Sequence, residues 1–152
     1  MVWPNDLFSI ILAIVLGGAI GLEREISGKA AGLRTNVLIC LGAAVFTIIS
    51  KEIVSETNDS VARIAAQIVT GVGFLGAGAI IQDRGGVHGL TTAATIWLVA
   101  SIGMACGACF YRLAIVTALI AILVLIGLGK LVWLLEHCRA KGSLKSTPDD
   151  RD

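Results

Sequence analysis

Apolar and polar positions along the chain fall into five long blocks, not into the short alternations of a soluble fold. The apolar runs cover Leu7–Leu22, Leu33–Ser50, Arg63–Ile81, Leu90–Cys109 and Leu113–Leu135. A bilayer core about 30 Å thick needs roughly 20 residues of helix. Lipid satisfies no backbone hydrogen bond, so each run is predicted as a helix; barrel strands would alternate. All but the last are short or polar at one end, which places those ends among the headgroups. The second is the weakest, its unbroken apolar part being only Val37–Ile49, and a re-entrant hairpin is the alternative there. The predicted fold class is all-α: a polytopic transmembrane helical bundle of five spans.

Composition agrees with that class. Of 152 residues, 56% are hydrophobic and only 15% charged, with a mean hydropathy of +0.87. A soluble domain of this size needs far more polar surface. The net charge of +1 gives no reason to expect nucleic acid as a partner. Met1–Asp6 holds no Lys or Arg before the first run, so that run reads as a retained span and not a cleaved signal.

The distribution of cations sets the orientation. With the N-terminus outside, nine of the twelve fall on the inner side: Arg24, Lys29, Arg34, Arg84, Lys130, Arg139, Lys141, Lys145 and Arg151. Lys51, Arg63 and Arg112 fall outside. This predicts N-out, C-in. Residues 1–138 form the membrane domain, and 139–152 read as a disordered polar cytoplasmic tail.

Five features could carry chemistry. The densest polar cluster runs from Gly21 to Asn36 and holds Glu23, Arg24, Glu25, Lys29, Gly32, Arg34, Thr35 and Asn36. It reads either as a solvated loop whose cations enforce topology or as an ordered loop that docks a partner or an anionic headgroup. The third run opens at Asp59, an i,i+4 partner for Arg63. Arg63, Gln67 and Thr70 then form one polar stripe, extended by Gly71 and Gly78. In lipid such a stripe is expected to face the bundle or a wet cavity, as interhelical glue or as the lining of a polar path.

Gly71, Gly73 and Gly76 formally spell a dinucleotide fingerprint, but no strand or acid stands where that motif needs them. Close helix packing explains Gly71–Gly78 better, as it does Gly17/Gly21 and Gly103/Gly107. The fourth run opens with Thr91, Thr92, Thr95 and Trp97, where Thr91 and Thr95 share a face. Nothing near them resembles a nucleophile with its base, so no catalysis is expected.

Cys106 and Cys109 could oxidise or hold a metal, yet zinc asks for four ligands, and Cys40, Cys106, Cys109 and Cys138 read better as small apolar filler. No metal or cofactor is expected. All eleven acids lie at or beyond the ends of the runs, against a conventional cation carrier with an intramembrane carboxylate.

Three motifs together, Gly21–Asn36, Gln67–Ile80 and Gly89–Trp97, closely resemble the membrane domain of the MgtC/SapB family. The resemblance runs from about Leu12 to Leu113. It implies a bacterial inner-membrane protein linked to growth at low magnesium. It also implies a non-transporting modulator of membrane energetics that acts through a membrane partner such as the ATP synthase. The competing expectation is a magnesium or other small-solute transporter or channel. Membrane lipids and self-association complete the expected partners. Many members carry a cytoplasmic domain after the fifth span, and this chain reads as a short form without it.

Overall fold

The computed structural model describes residues 4–53, 58–84 and 86–143, with side chains described for 4–53, 63–84 and 86–130. Five helices account for nearly all of it: α1 (Pro4–Ile26), α2 (Leu33–Ile53), α3 (Asn58–Gly78), α4 (Leu90–Gly107) and α5 (Tyr111–Ser143). A two-stranded antiparallel hairpin, β1 (Ile81–Asp83) and β2 (Gly86–His88), joins α3 to α4, with Asp83 opposite Gly86. Among the described residues, four helical segments are long and apolar enough to cross a membrane: α1, α2, α4 and Tyr111–Lys130 of α5. The protein is a membrane protein of all-α class, and its outward apolar side chains meet lipid.

The helix ends follow local rules. Pro4 starts α1, where a missing N–H costs nothing. That helix closes with Gly28 at φ +64, as the Lys29 N–H reaches Arg24 O at 3.0 Å and the Gly28 N–H reaches Glu25 O at 3.1 Å. This is the Schellman pattern, which favours glycine because its αL residue bears no Cβ. Helix α4 ends the same way, with Phe110 N–H on Ala105 O and Cys109 N–H on Cys106 O, but the αL residue is Cys109 at φ 66. A side chain there costs roughly 1 kcal/mol relative to glycine.

Helix α2 is the hub, packed most extensively against α1 on one side and α4 on the other. Close approach depends on missing side chains. A Cβ on Gly17 would stand 2.6 Å from Cys40 Cβ, and one on Gly21 would stand 2.8 Å from Leu33 Cα. From α4, a Cβ on Gly103 would lie 2.9 Å from the Cys40 carbonyl carbon, and one on Gly107 2.8 Å from Thr47 Cβ. The two small-residue pairs foreseen in the sequence are therefore packing devices. Ala13, Ile20, Cys40, Ala44, Val99, Ile102 and Cys106 fill the space between these helices and are buried. Cys40 and Cys106 are the core filler expected of them; Cys109 is exposed.

Two expectations change. Helix α1 does not stop at Leu22 but carries Glu23, Arg24 and Glu25 within its last turns, so only Ser27–Gly32 is non-helical. Ile81, the last residue of the third apolar run, and His88 beyond it are paired strand, an element the apolar pattern does not predict. Helix α2 is continuous over 21 residues, the helix expected of that run and not the re-entrant alternative.

Candidate functional site at the Arg24 corner

The best-defined polar constellation is the turn between α1 and α2. Arg24 is 4% exposed although it carries a full charge. Its guanidinium grips the Glu23 carboxylate with two donors, Nε to Oε2 and NH2 to Oε1, the second at 2.7 Å. Ser27 Oγ donates to the same Oε1 at 2.8 Å. A forked, charge-assisted pair of this kind holds both side chains in one geometry.

Glu25 does a different job. Its Oε2 accepts the Leu33 N–H at 2.9 Å across eight residues and so caps α2 from the end of α1. It reaches there because Gly32 lies beneath it, where a Cβ would come within 2.8 Å of Glu25 Cδ. Asn36 closes the corner, its Nδ2 donating at 2.8 Å to both Ala31 O and Gly32 O. Its Oδ1 is buried without a hydrogen-bond partner among the described residues. Lys29, Arg34 and Thr35 are exposed on the outside of this braced turn. The ordered-loop reading of the cluster fits the geometry, whereas Arg24 is not the solvated loop cation that a topology signal alone implies.

The other sequence candidates scatter. Thr91 and Thr95 share a face of α4 as expected and line one cleft with Leu98 and Thr117, with Thr95 buried and Thr91 exposed, while Thr92 is buried elsewhere on the helix. The Thr95 hydroxyl donates to Thr91 O at 2.8 Å, a back-bond within its own helix. Trp97 is exposed beside Val69, Val72 and Met104.

The Arg63–Gln67–Thr70 stripe does not enter the bundle: all three residues, with Gly71, Gly73 and Gly78, are exposed on α3. The close helix packing expected of this glycine run is not found: a Cβ on Gly76 would make only ordinary contact with Ala93, at 3.5 Å, and Gly71, Gly73 and Gly78 face open space. Thr70 satisfies its hydroxyl on Ala66 O at 3.0 Å. The Asp59 side chain lies outside the described residues, as do those of His137 and Cys138.

A second polar constellation, absent from the sequence reading, ties the opposite ends of the helices together. Ser9 Oγ donates to Asn5 O at 2.9 Å and lies 3.1 Å from the Tyr111 hydroxyl, while the Phe8 and Tyr111 rings meet edge to face at 4.9 Å. Lys51 Nζ donates to Gly107 O at 3.3 Å and to Cys109 Sγ at 3.5 Å. Ser9, Lys51, Cys109 and Tyr111 are too far apart in sequence, and too ordinary singly, to announce the cluster.

The Tyr111 hydroxyl and the Lys51 ammonium hold the Cys109 thiol below the usual thiol range, against a smaller effect of burial. The thiolate is the reactive form, so labelling of Cys109 by a maleimide in a Cys138→Ser background reaches half its maximal rate at lower pH than a free cysteine does. Tyr111→Phe and Lys51→Met each move that profile to higher pH. Superposable profiles for wild type and both variants count against the cluster.

Comparison with known proteins bears on the same residues. The sequence profile of the MgtC family matches residues 10–133. The chain belongs to the MgtC family. Among similar proteins, the candidate magnesium transporter YhiD of Escherichia coli (strain K12) is 48% identical over 125 residues, covering 78% of this chain and 58% of its own length. Protein MgtC of Brucella abortus (strain 2308) is 46% identical over 136 residues, 89% of this chain and 56% of its own. Protein MgtC of Salmonella typhimurium (strain 14028s) is 46% identical over 114 residues, 75% of this chain and 48% of its own. The chain thus spans about half the length of the MgtC relatives it matches. No solved structure matches. The family match takes in α1 from residue 10 on, α2 to α4, the Arg24 corner and α5 as far as residue 133.

Proposed function

We propose that this MgtC-family chain is a non-catalytic modulator in the bacterial inner membrane, with five spans in N-out, C-in orientation, acting on a membrane partner such as the ATP synthase under magnesium limitation. The observation that carries this reading is the Arg24 corner. Its ionic groups are turned inward on one another, Arg24 on Glu23 and Glu25 on the α2 N-terminus, which makes a rigid turn that displays Lys29 and Arg34. A braced turn with outward cations suits docking more than passage of an ion. The centre of α1, α2 and α4 is filled by buried aliphatic and cysteine side chains, which favours a packed scaffold over a central path. The competing reading, transport of magnesium, draws on the name carried by YhiD.

Co-reconstitution separates the two. Vesicles containing ATP synthase are expected to show slower ATP-driven proton uptake when the chain is present, and recovery when it carries Lys29→Glu and Arg34→Glu. Unchanged uptake in all vesicles rejects the modulator. Dye-detected magnesium flux through the chain alone, above that of empty vesicles, establishes the transporter.

A further inference from the structure

The end of the bundle away from the Arg24 corner brings a thiol and a primary amine together. The αL turn that closes α4 leaves Cys109 exposed, whereas Cys106 is buried in the core with Cys40. Lys51, in the last turn of α2, holds its Nζ 3.3 Å from Gly107 O and 3.5 Å from Cys109 Sγ. The carbonyl contact keeps the amine beside the sulfur, and both side chains are open to water. Tyr111 and Lys51 favour the thiolate, which is the form that peroxides oxidise. A sulfenic acid formed on Cys109 has no exposed thiol to meet among the described residues. Cys40 and Cys106 are sealed in the core, and Cys138 stands near the far end of α5, about 40 Å from Tyr111 at 1.5 Å per residue. The nucleophile already at hand is the Lys51 amine.

We propose that hydrogen peroxide joins Cys109 Sγ to Lys51 Nζ in a sulfenamide bond, stapling the end of α2 to the turn between α4 and α5. In the first step the Cys109 thiolate attacks one oxygen of the peroxide. The O–O bond breaks, an S–O bond forms, and sulfur gives up two electrons. The departing hydroxide takes a proton from the Lys51 ammonium and leaves as water. Cys109 is then a sulfenic acid and Lys51 a neutral amine, side by side. In the second step the amine lone pair attacks sulfur, the S–O bond breaks, and hydroxide leaves as water with one amine proton. Sulfenic acids condense in this way with a nitrogen held against them. One peroxide becomes two waters, and the chain loses two hydrogens. The flexible four-carbon stem of lysine lets Nζ close onto sulfur from 3.5 Å. The bond crosses the seam where Gly107 lies against Ala44 and Thr47, so it opposes the parting of α2 from α4 at that end. The proposal rests on this cluster alone and not on the function assigned to the Arg24 corner.

Mass spectrometry of the full chain in liposomes, carrying Cys138→Ser and treated with hydrogen peroxide, tests it. The chain is expected to lose two hydrogens, and digestion yields the Lys51 and Cys109 fragments joined, to be released again by dithiothreitol. Lys51→Arg keeps a positive charge beside the sulfur, but a guanidinium does not deprotonate to a nucleophile. In that variant the joined fragments vanish and Cys109 accumulates as a sulfenic acid that dimedone captures. Lys51→Met also loses the joined fragments, and Cys109→Ser loses both products. Should Lys51→Arg lose its helical circular dichroism, Lys51→Met decides alone. A wild-type chain that peroxide leaves unchanged, or that gains oxygen without joined fragments, overturns the proposal. So does a disulfide between two chains, or a two-hydrogen loss that persists in both Lys51 variants, whatever happens to proton uptake by the ATP synthase.

Discussion

Gly103→Ala is expected to cost the bundle about 3 kcal/mol, the upper end of what overpacking usually costs. The added methyl would stand 2.9 Å from the Cys40 carbonyl carbon and 3.0 Å from Ala43 Cβ, and closer still to the Cys40 carbonyl oxygen. Two of these three obstacles are backbone, and the backbone of α2 cannot turn aside as a flexible side chain would. Moving α2 away from α4 also moves it against α1, because Gly17 holds Cys40 from the other side. Relief at one crossing therefore tightens the other. The midpoint of reversible unfolding in mixed detergent micelles measures the loss, with Gly129→Ala as the control because nothing lies within 4 Å of that position. If both variants unfold together with wild type, the α2–α4 approach described here is wrong.

The second large effect is expected at Arg24. Removing one member of a buried ion pair typically costs about 3–5 kcal/mol because the other charge is left stranded. Arg24→Leu strands the Glu23 carboxylate, whose remaining partner among the described residues is the Ser27 hydroxyl. Replacing both members with apolar side chains removes the stranded charge, so Arg24→Leu combined with Glu23→Leu recovers most of the stability. The same unfolding assay reads both outcomes. Additive losses in the double variant would show that the two side chains do not act as a pair. A folded double variant also tests function, since it keeps Lys29 and Arg34 but loosens the turn that presents them.

What the sequence revealed and what it hid divide along a physical line. Helices were legible because membrane spans are read from long apolar runs, and the Gly17/Gly21 and Gly103/Gly107 pairs because a four-residue spacing puts both on one helix face. Facing was less legible. Gln67 and Thr70 share a stripe, but a stripe says only which residues look the same way, not whether another helix lies there. Thr91 and Thr95 do share a face, as their spacing implies, but spacing does not say which of Thr91, Thr92 and Thr95 is buried, because that is set by Gly103 and Gly107 meeting α2. Arg24 looked like a topology signal because charge was counted and burial was not. The β1–β2 hairpin had a signal in Asp83-Arg84-Gly85-Gly86, a glycine-rich reversal between short apolar segments, that was outweighed by hydropathy. The Ser9–Lys51–Cys109–Tyr111 cluster had none, being assembled from three separate stretches of chain.

The order of burial differs from the order of synthesis. Helix α2 emerges next to α1, but the partner for its other face is α4, with all of α3 and the hairpin in between. While the ribosome is still delivering α3, the α2 surface at Ala43, Ala44 and Thr47 that meets Gly103 and Gly107 has no α4 to lie against. Helix α3 packs on both α2 and α4, so its own seat is complete only once α4 has come in beside α2.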